Sequence, residues 1–479
     1  MITRILIKKV SGHILPLCLT WHSLVFVMYL LTRAIFHIIY PMDWAMAYVR
    51  WQHLDLFALK TDYWDCLLNC HMQPPLFNAI LGVFVKIVPD NIQGGVAEFI
   101  YFALGCLSFV AHRRLLRCLI GCEGVRIVFE IGYVAMPSIL FAERWFGYTL
   151  PVLCCILWMA YALVKWVDTQ STFYSCTYLL IGLAIVSMRS FFHPIVWFLP
   201  CCMLLSMGGR KSSFVKIAFI CSVFVLAILP SISNYLRWGL FTPSTWQGMN
   251  LSRTLVYVTP EERKSLIAEG SCPPIVLLPP FSHPKKYIEY YGNEKIHMES
   301  PVLSQTNKTW SDVAKEECPN FNNHIIPRAS KDYQQGWSSL VQAYPGKYLL
   351  GVLNAAYCFF TFDMYHFWSN SQNWLPRRSD ASAAYFIKYF KVFVAPVALI
   401  CIYVFSISGF ALKGFRKDNR MYFYLYCIGT CLYTFAVAIM AELGENNIMR
   451  VPIDPILLIG VALLTDAFLA KKKMNEVHG

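Results

Sequence analysis

Residues 14–40 read ILPLCLTWHSLVFVMYLLTRAIFHIIY. About 20 consecutive apolar residues match the hydrocarbon thickness of a bilayer. A helix packed into a soluble core would need a polar face, which a run of this kind lacks. Arg4, Lys8 and Lys9 precede it, and it is too long for the apolar region of a signal peptide, so it reads as an uncleaved first crossing. Similar runs recur down the chain, among them YTLPVLCCILWMAYALVK at 148–165. Of the 479 residues, 57% are hydrophobic and 14% charged, against about 25% charged in soluble domains. The expected fold class is an all-α polytopic membrane protein.

The net charge of +13 does not imply a nucleic-acid partner. The cations cluster in short loops between apolar runs, the distribution that orients membrane proteins. Most of the 18 cysteines lie inside apolar runs, such as Cys154, Cys155, Cys201 and Cys202, where they act as small hydrophobes. No Cys/His spacing matches a zinc site. Cys272 and Cys318 share one long loop and would be able to pair in an oxidising lumen.

Basic clusters set the topology. With the N-terminus cytosolic, the first crossing delivers residues 41–74 to the opposite side, and His112-Arg113-Arg114-Leu115-Leu116-Arg117 returns to the cytosol. The stretch 75–88 is too short to cross and reads as half-buried or re-entrant, leaving 96–111 as the second crossing. Crossings then follow at 126–142, 148–165, 173–188, 194–207 and 216–234. A polar luminal segment, 235–389, contains the acceptor sequons Asn250-Leu251-Ser252 and Asn307-Lys308-Thr309. Residues 347–367 read as an interfacial helix. Crossings at 390–411, 421–441 and 452–470 bring the total to ten. The chain thus divides into a core of residues 1–234, the luminal segment 235–389 and a C-terminal unit, 390–479.

Polar residues collect at four turns on the luminal face. The first loop holds Asp43, Asp55, Asp62, Asp65, His71 and Gln73, and ends His71-Met72-Gln73-Pro74-Pro75-Leu76-Phe77-Asn78. Glu143-Arg144 end the third crossing, and Arg189 and His193 lie between the fifth and sixth. The last turn runs from Glu442 through Glu445, Asn446 and Arg450 to Pro455. Such a set suits group transfer from a lipid phosphate. A carboxylate at the membrane surface takes the proton of an acceptor hydroxyl, and arginine or histidine at the same depth holds the leaving phosphate. Arg450, then Arg189 and His193, then His71, are the candidate phosphate ligands. Gln73, Glu143 and Asn446 are candidates for contact with sugar or acceptor. Each residue also has an ordinary reading, as a snorkelling anchor or a solvated loop residue.

Asp43 just after the first crossing, His71 through Leu76 at the start of a short helix, and the polar turn Asn446 to Pro455 together resemble the GT-C superfamily of membrane glycosyltransferases. Protein O-mannosyltransferases and aminoarabinose lipid A transferases are the nearest types. The blocks Asn234 to Leu236, Trp246 to Leu251 and Pro319 to His324 resemble those of GT-C-like proteins with a His-x-Gln-Pro-Pro-Leu-Phe-Asn signature. The resemblance implies a GT-C-like bundle and an inverting enzyme. Its donor would be a polyprenyl- or dolichyl-phosphate sugar and its acceptor a luminal protein or glycan, in the endoplasmic reticulum or Golgi of a eukaryote. The paired acidic motif of that superfamily is absent, because Trp44 follows Asp43. The base stays open between Asp43 and Asp65, and no cofactor is assigned, a divalent metal remaining an option. A transporter or lipid-linked-sugar scramblase is the rival reading, disfavoured by the scarcity of mid-span charge and by the large luminal segment. An inactive scaffold of the same fold is a third.

Overall fold

The computed structural model describes residues 2–193, 213–292, 300–360 and 419–478. Its principal helices are α1 (Ile2–Ile39), α2 (Leu76–Ile87), α3 (Gln93–Leu119), α4 (Glu123–Ala135), α5 (Pro137–Ala142), α6 (Thr149–Thr169), α7 (Thr172–Met188), α8 (Ser213–Trp238), α9 (Gln247–Arg253), α10 (Ile325–Ala343), α11 (Pro345–Phe360), α12 (Asn419–Ala441) and α13 (Asp454–His478). Among the described residues there is no strand, only an isolated antiparallel bridge between Asn307 and Pro319.

Among the described residues, six helical stretches are long and apolar enough to cross a membrane: Trp21–Ile39, Asp90–Leu119, Thr149–Thr169, Phe219–Trp238, Arg420–Ala441 and Asn446–Ala470. This is the build of a multi-pass integral membrane protein. Each overlaps one of the ten expected crossings. Of the other four, 194–207 and 390–411 lie outside the described residues, and 173–188 corresponds to the shorter α7. The crossing expected at 126–142 is two helices. Met136 has an extended backbone (φ −69°, ψ 115°) and Pro137 opens α5, because a residue before proline is pushed out of the helical region. The 12-residue α2 spans about 18 Å, in keeping with a segment too short to cross. The expected interfacial helix 347–367 corresponds in part to α11, whose remainder, 361–367, lies outside the described residues.

Helix α6 sits at the centre, packed by α3, α7 and α12. Leu150, Leu153, Ile156, Leu157 and Ala160 are fully enclosed, which is why this run is apolar on every side. In the extramembrane segment α9 lies against α10. A side chain at Gly248 would occupy the position of the Ser330 carbonyl, and the Gly248 N–H donates to the Ser330 hydroxyl at 2.9 Å.

The first crossing departs from the expectation of a wholly apolar run. Arg33 is 1% exposed. Its Nε and Nη2 donate to the two carboxylate oxygens of Glu143 at 2.9 and 3.1 Å, a forked pair, and Nη1 donates to the Val134 carbonyl. Tyr29 donates to Glu143 Oε1 at 3.2 Å. A guanidinium within an apolar bundle is costly unless paired and hydrogen-bonded, and here it is both. Glu143, a sequence candidate for sugar contact, is therefore the counter-ion of α1. Removing one partner leaves a buried charge, so Arg33→Met is expected to destabilise the fold by about 3–5 kcal/mol. The double variant Arg33→Met/Glu143→Gln should recover much of that loss in thermal unfolding of the detergent-solubilised protein.

Candidate functional site

The site is assembled around the end of the first loop. The His71 ring is 2% exposed. Its Nδ1 lies 2.7 Å from the Thr245 hydroxyl and its Nε2 2.9 Å from the Asn322 carbonyl. A carbonyl only accepts, so Nε2 carries the proton and Nδ1 accepts from Thr245. The Asn322 side chain completes the tie, accepting from the His71 N–H at 3.0 Å and donating to the Asn69 carbonyl at 3.0 Å. Further along, Lys308 is 2% exposed and donates to the Tyr48 and Arg50 carbonyls. Burial pulls its ammonium down to about 8. The Thr309 N–H and hydroxyl both donate to Asp55 Oδ2, at 2.7 and 2.6 Å. The first loop and the long polar segment are thereby one folded body.

Between them and the helix ends lies a cavity of about 350 Å³. Trp51, Gln52 and Gln73 come from the first loop, and Trp246, Asn250, Arg253 and Phe281 from the polar segment. Tyr148, Arg189, Ser190 and His193 border it from α6 and the end of α7, and Tyr433, Glu442 and Glu445 from α12 and the turn after it. Trp246 packs edge-on to Phe281, which stacks on Trp51. Aromatic walls with a few convergent polar groups are the usual make-up of a small-molecule site.

Arg189 is 4% exposed and lies over the Tyr148 ring, 4.8 Å from its centroid. Its Nη1 has no hydrogen-bond partner, and among the described residues no carboxylate pairs with it. A buried guanidinium left this way is a ready binding point for an anion. Beside it, Gln73 Oε1 accepts from the Ser190 hydroxyl at 2.9 Å. Glu442 is 5% exposed and its Oε1 accepts from Arg253 Nη1 at 2.5 Å and from the Leu443 N–H at 3.1 Å. Burial and the neighbouring Glu445 push its carboxyl up against the opposing pull of Arg253, to about 7.

Of the sequence candidates, the cavity gathers Gln73, Arg189, His193 and Asn250. It does not gather the others. Asp43 is exposed, accepting from the Ala45 N–H at 2.9 Å. Asp65 accepts from Asn69 and from the Ser300 hydroxyl. Arg450 is 1% exposed, donating to Asp454 at 3.1 Å and to the Phe359 carbonyl at 2.5 Å. Asn446 holds the turn after α12: its amide donates to the Ala438 and Glu442 carbonyls, and its oxygen accepts from the Gly444 N–H. Gly444 has φ +117°, and any side chain there would meet the Arg253 guanidinium. His71 has both ring nitrogens engaged inside the fold.

Sequence reasoning missed Arg253. It stands three residues after Asn250 on α9, a spacing that puts both on one helical face. Glu442 and Glu445 were visible within the last polar turn but carried no role.

An apolar groove lies beside the cavity, lined by Leu179, Gly182, Leu183 and Val186 of α7 and by Ile220, Val223 and Ala227 of α8. Arg189 follows Val186 by three residues and Ser231 follows Ala227 by four. Arg189 is the extended residue that ends α7, and Ser231 lies one helical turn beyond Ala227 on α8, so each helix has a groove residue and a cavity residue close together in sequence.

Cys272 and Cys318 are both free, so the pairing expected for them is not formed. The Cys318 thiol instead donates to the Tyr48 carbonyl. Asn307 accepts from His283 Nε2 at 2.6 Å, and the hydroxyl of the other sequon, Ser252, donates to the Tyr333 carbonyl. Among the described residues no three His, Cys, Asp or Glu side chains converge as a metal ligand set.

The neutral His71 gives the latch a pH dependence. Burial lowers its folded value to about 3 from an ordinary 6.5. Its contribution to stability is complete above pH 6.5 and is lost as pH falls from there toward 3. Hydrogen exchange across residues 300–325 should accelerate over that window, and His71→Gln should flatten the dependence. No protein-family model and no curated protein matches this chain.

Proposed function

We propose that this chain is a membrane glycosyltransferase that moves a sugar from a polyprenyl- or dolichyl-phosphate donor to a hydroxyl on a luminal protein or glycan. The observation that carries the reading is Arg189, a residue in the wall of the aromatic-lined cavity whose guanidinium is buried with one nitrogen unpartnered. A charge buried without a counter-ion costs several kcal/mol, and the phosphate of a lipid-linked sugar would offset that cost. The apolar surface of α7 and α8 is one that the isoprenoid chain of the same donor would lie against. The walls of Trp51, Trp246 and Phe281, with Gln73 among the polar groups, suit a sugar ring, which offers both C–H faces and hydroxyls.

In this reading the acceptor oxygen attacks the anomeric carbon from the side opposite the phosphate, inverting its configuration. The C1–O bond breaks with its electron pair going to the phosphate. Arg189 meets the charge that develops there. Arg189 takes the phosphate role first expected of Arg450, because Arg450 is enclosed with Asp454. In a eukaryotic cell such an enzyme would work in the endoplasmic reticulum or Golgi.

The test is incubation of the purified protein with radiolabelled polyprenyl-phosphate mannose, glucose and arabinose, followed for sugar transfer or hydrolysis. Turnover of one of them is expected, and turnover of none would overturn the proposal. Charge-assisted hydrogen bonds contribute about 1.5–3 kcal/mol. Arg189→Gln should therefore raise the donor concentration needed for half-maximal rate by roughly ten- to a hundredfold. Ala227→Trp, which fills the groove, should penalise long-chain donors more than two-isoprene ones, as read from the ratio of their kcat/KM values.

A further inference from the structure

An acceptor hydroxyl attacking at this cavity needs somewhere for its proton to go, and the sequence offered Asp43 and Asp65. Neither borders the cavity, and Asp65 already accepts from Asn69 on one oxygen and from Ser300 on the other. Two carboxylates do border it, Glu442 and Glu445.

Glu442 is the better placed of the two. It is fixed at the end of α12, where Asn446 holds the turn by donating to the Glu442 carbonyl at 2.9 Å. Both hydrogen bonds to its side chain fall on Oε1, from Arg253 and from the Leu443 N–H. Among the described residues Oε2 accepts none, and Glu442 is one of the residues that line the cavity. An ion pair serving only to tie α9 to α12 gains most when both oxygens are engaged. Glu445 is half-buried, and no ion pair holds its side chain among the described residues. It therefore lacks the fixed geometry that proton transfer requires.

We propose that Glu442 is the proton acceptor of the transfer reaction, a role that rests on the glycosyltransferase reading given above. The acceptor O–H bond breaks as oxygen bonds to the anomeric carbon. The proton passes to Glu442 Oε2, and the polyprenyl phosphate leaves with the electron pair of the C1–O bond. Arg253 orients the carboxylate and favours its ionised form. The charged and titratable groups that face Glu442 are Arg253 from α9, Glu445 from the turn after α12, and Arg189 and His193 from the end of α7. A carboxyl held near 7 is matched to proton transfer at neutral pH.

The test uses the full-length protein in nanodiscs and the donor that the wild type turns over. A base works only when ionised, so kcat/KM for the wild type should fall on the acid side with a limb near pH 7. Glu442→Gln should lower transfer by at least roughly a hundredfold while polyprenyl phosphate still raises its melting temperature as it does that of the wild type. Glu442→Asp should retain part of the rate. Arg253→Gln removes a positive charge that favours the ionised carboxylate, so its acid limb should move to higher pH. Loss of a purely structural ion pair would lower the rate at every pH and leave the limb in place. Wild-type rates in Glu442→Gln, or an unmoved limb in Arg253→Gln, would overturn the role of Glu442 alone. If Glu442→Gln fails to fold, Glu442→Asp and Arg253→Gln decide by the position of the limb. If the wild type turns over no donor, the enzyme reading itself falls and the role of Glu442 with it.

Discussion

The pairing of His71 with Asn322, two residues 251 positions apart, is the constraint on which the cavity depends. One side of the pair belongs to the loop that carries Trp51, Gln52 and Gln73. The other belongs to the segment that carries Trp246 and Phe281. Each partner is deeply buried, so breaking the pair would leave polar groups without water or protein to satisfy them. The ring has to stay neutral to accept from Thr245 at one nitrogen while it donates to Asn322 at the other. The Lys308 and Thr309 contacts fasten the same two walls at a second place, on Tyr48, Arg50 and Asp55.

The arginines of the bundle show how the fold sorts charge. Arg33 is closed off by a forked carboxylate, and Arg450 by Asp454 and a backbone carbonyl. Arg189 is as deeply buried but rests on aromatic rings, with Nη1 unpartnered. Sequence context does not show their partners: Arg33 lies inside the first crossing, and Arg189 and Arg450 lie at helix ends. Only the assembled neighbours do, and they leave Arg189 Nη1 without an acceptor.

Local features were legible in the sequence, and long-range ones were not. An apolar run of the right length fixes a crossing helix by composition alone, which is why 148–165 emerges as α6 almost unchanged. The break at Met136 was missed in the expected 126–142 crossing, although Pro137 is the local signal for it. The Arg33–Glu143 pair joins residues 110 apart, and nothing near either one announces the other. For the same reason Asp43 and Asp65 were preferred as carboxylates near the membrane surface, and Glu442 was given no role. Burial distinguishes them, and burial is a property of the whole chain. The His71 to Asn78 block did mark the right neighbourhood, through Gln73 on the cavity wall, although its histidine is occupied in holding loops together.

Lys308 carries a consequence for biosynthesis. Its ammonium fills the space beneath the Tyr48 and Arg50 carbonyls, so the first loop has to remain unfilled until some 260 further residues have left the ribosome. Contacts of such long sequence separation form late, after local helices are in place. The early helices therefore enter the membrane while the loop between them still lacks its lid. A chain that stalls before residue 308 has several of its helices, but the carbonyls of Tyr48 and Arg50 still lack their donor.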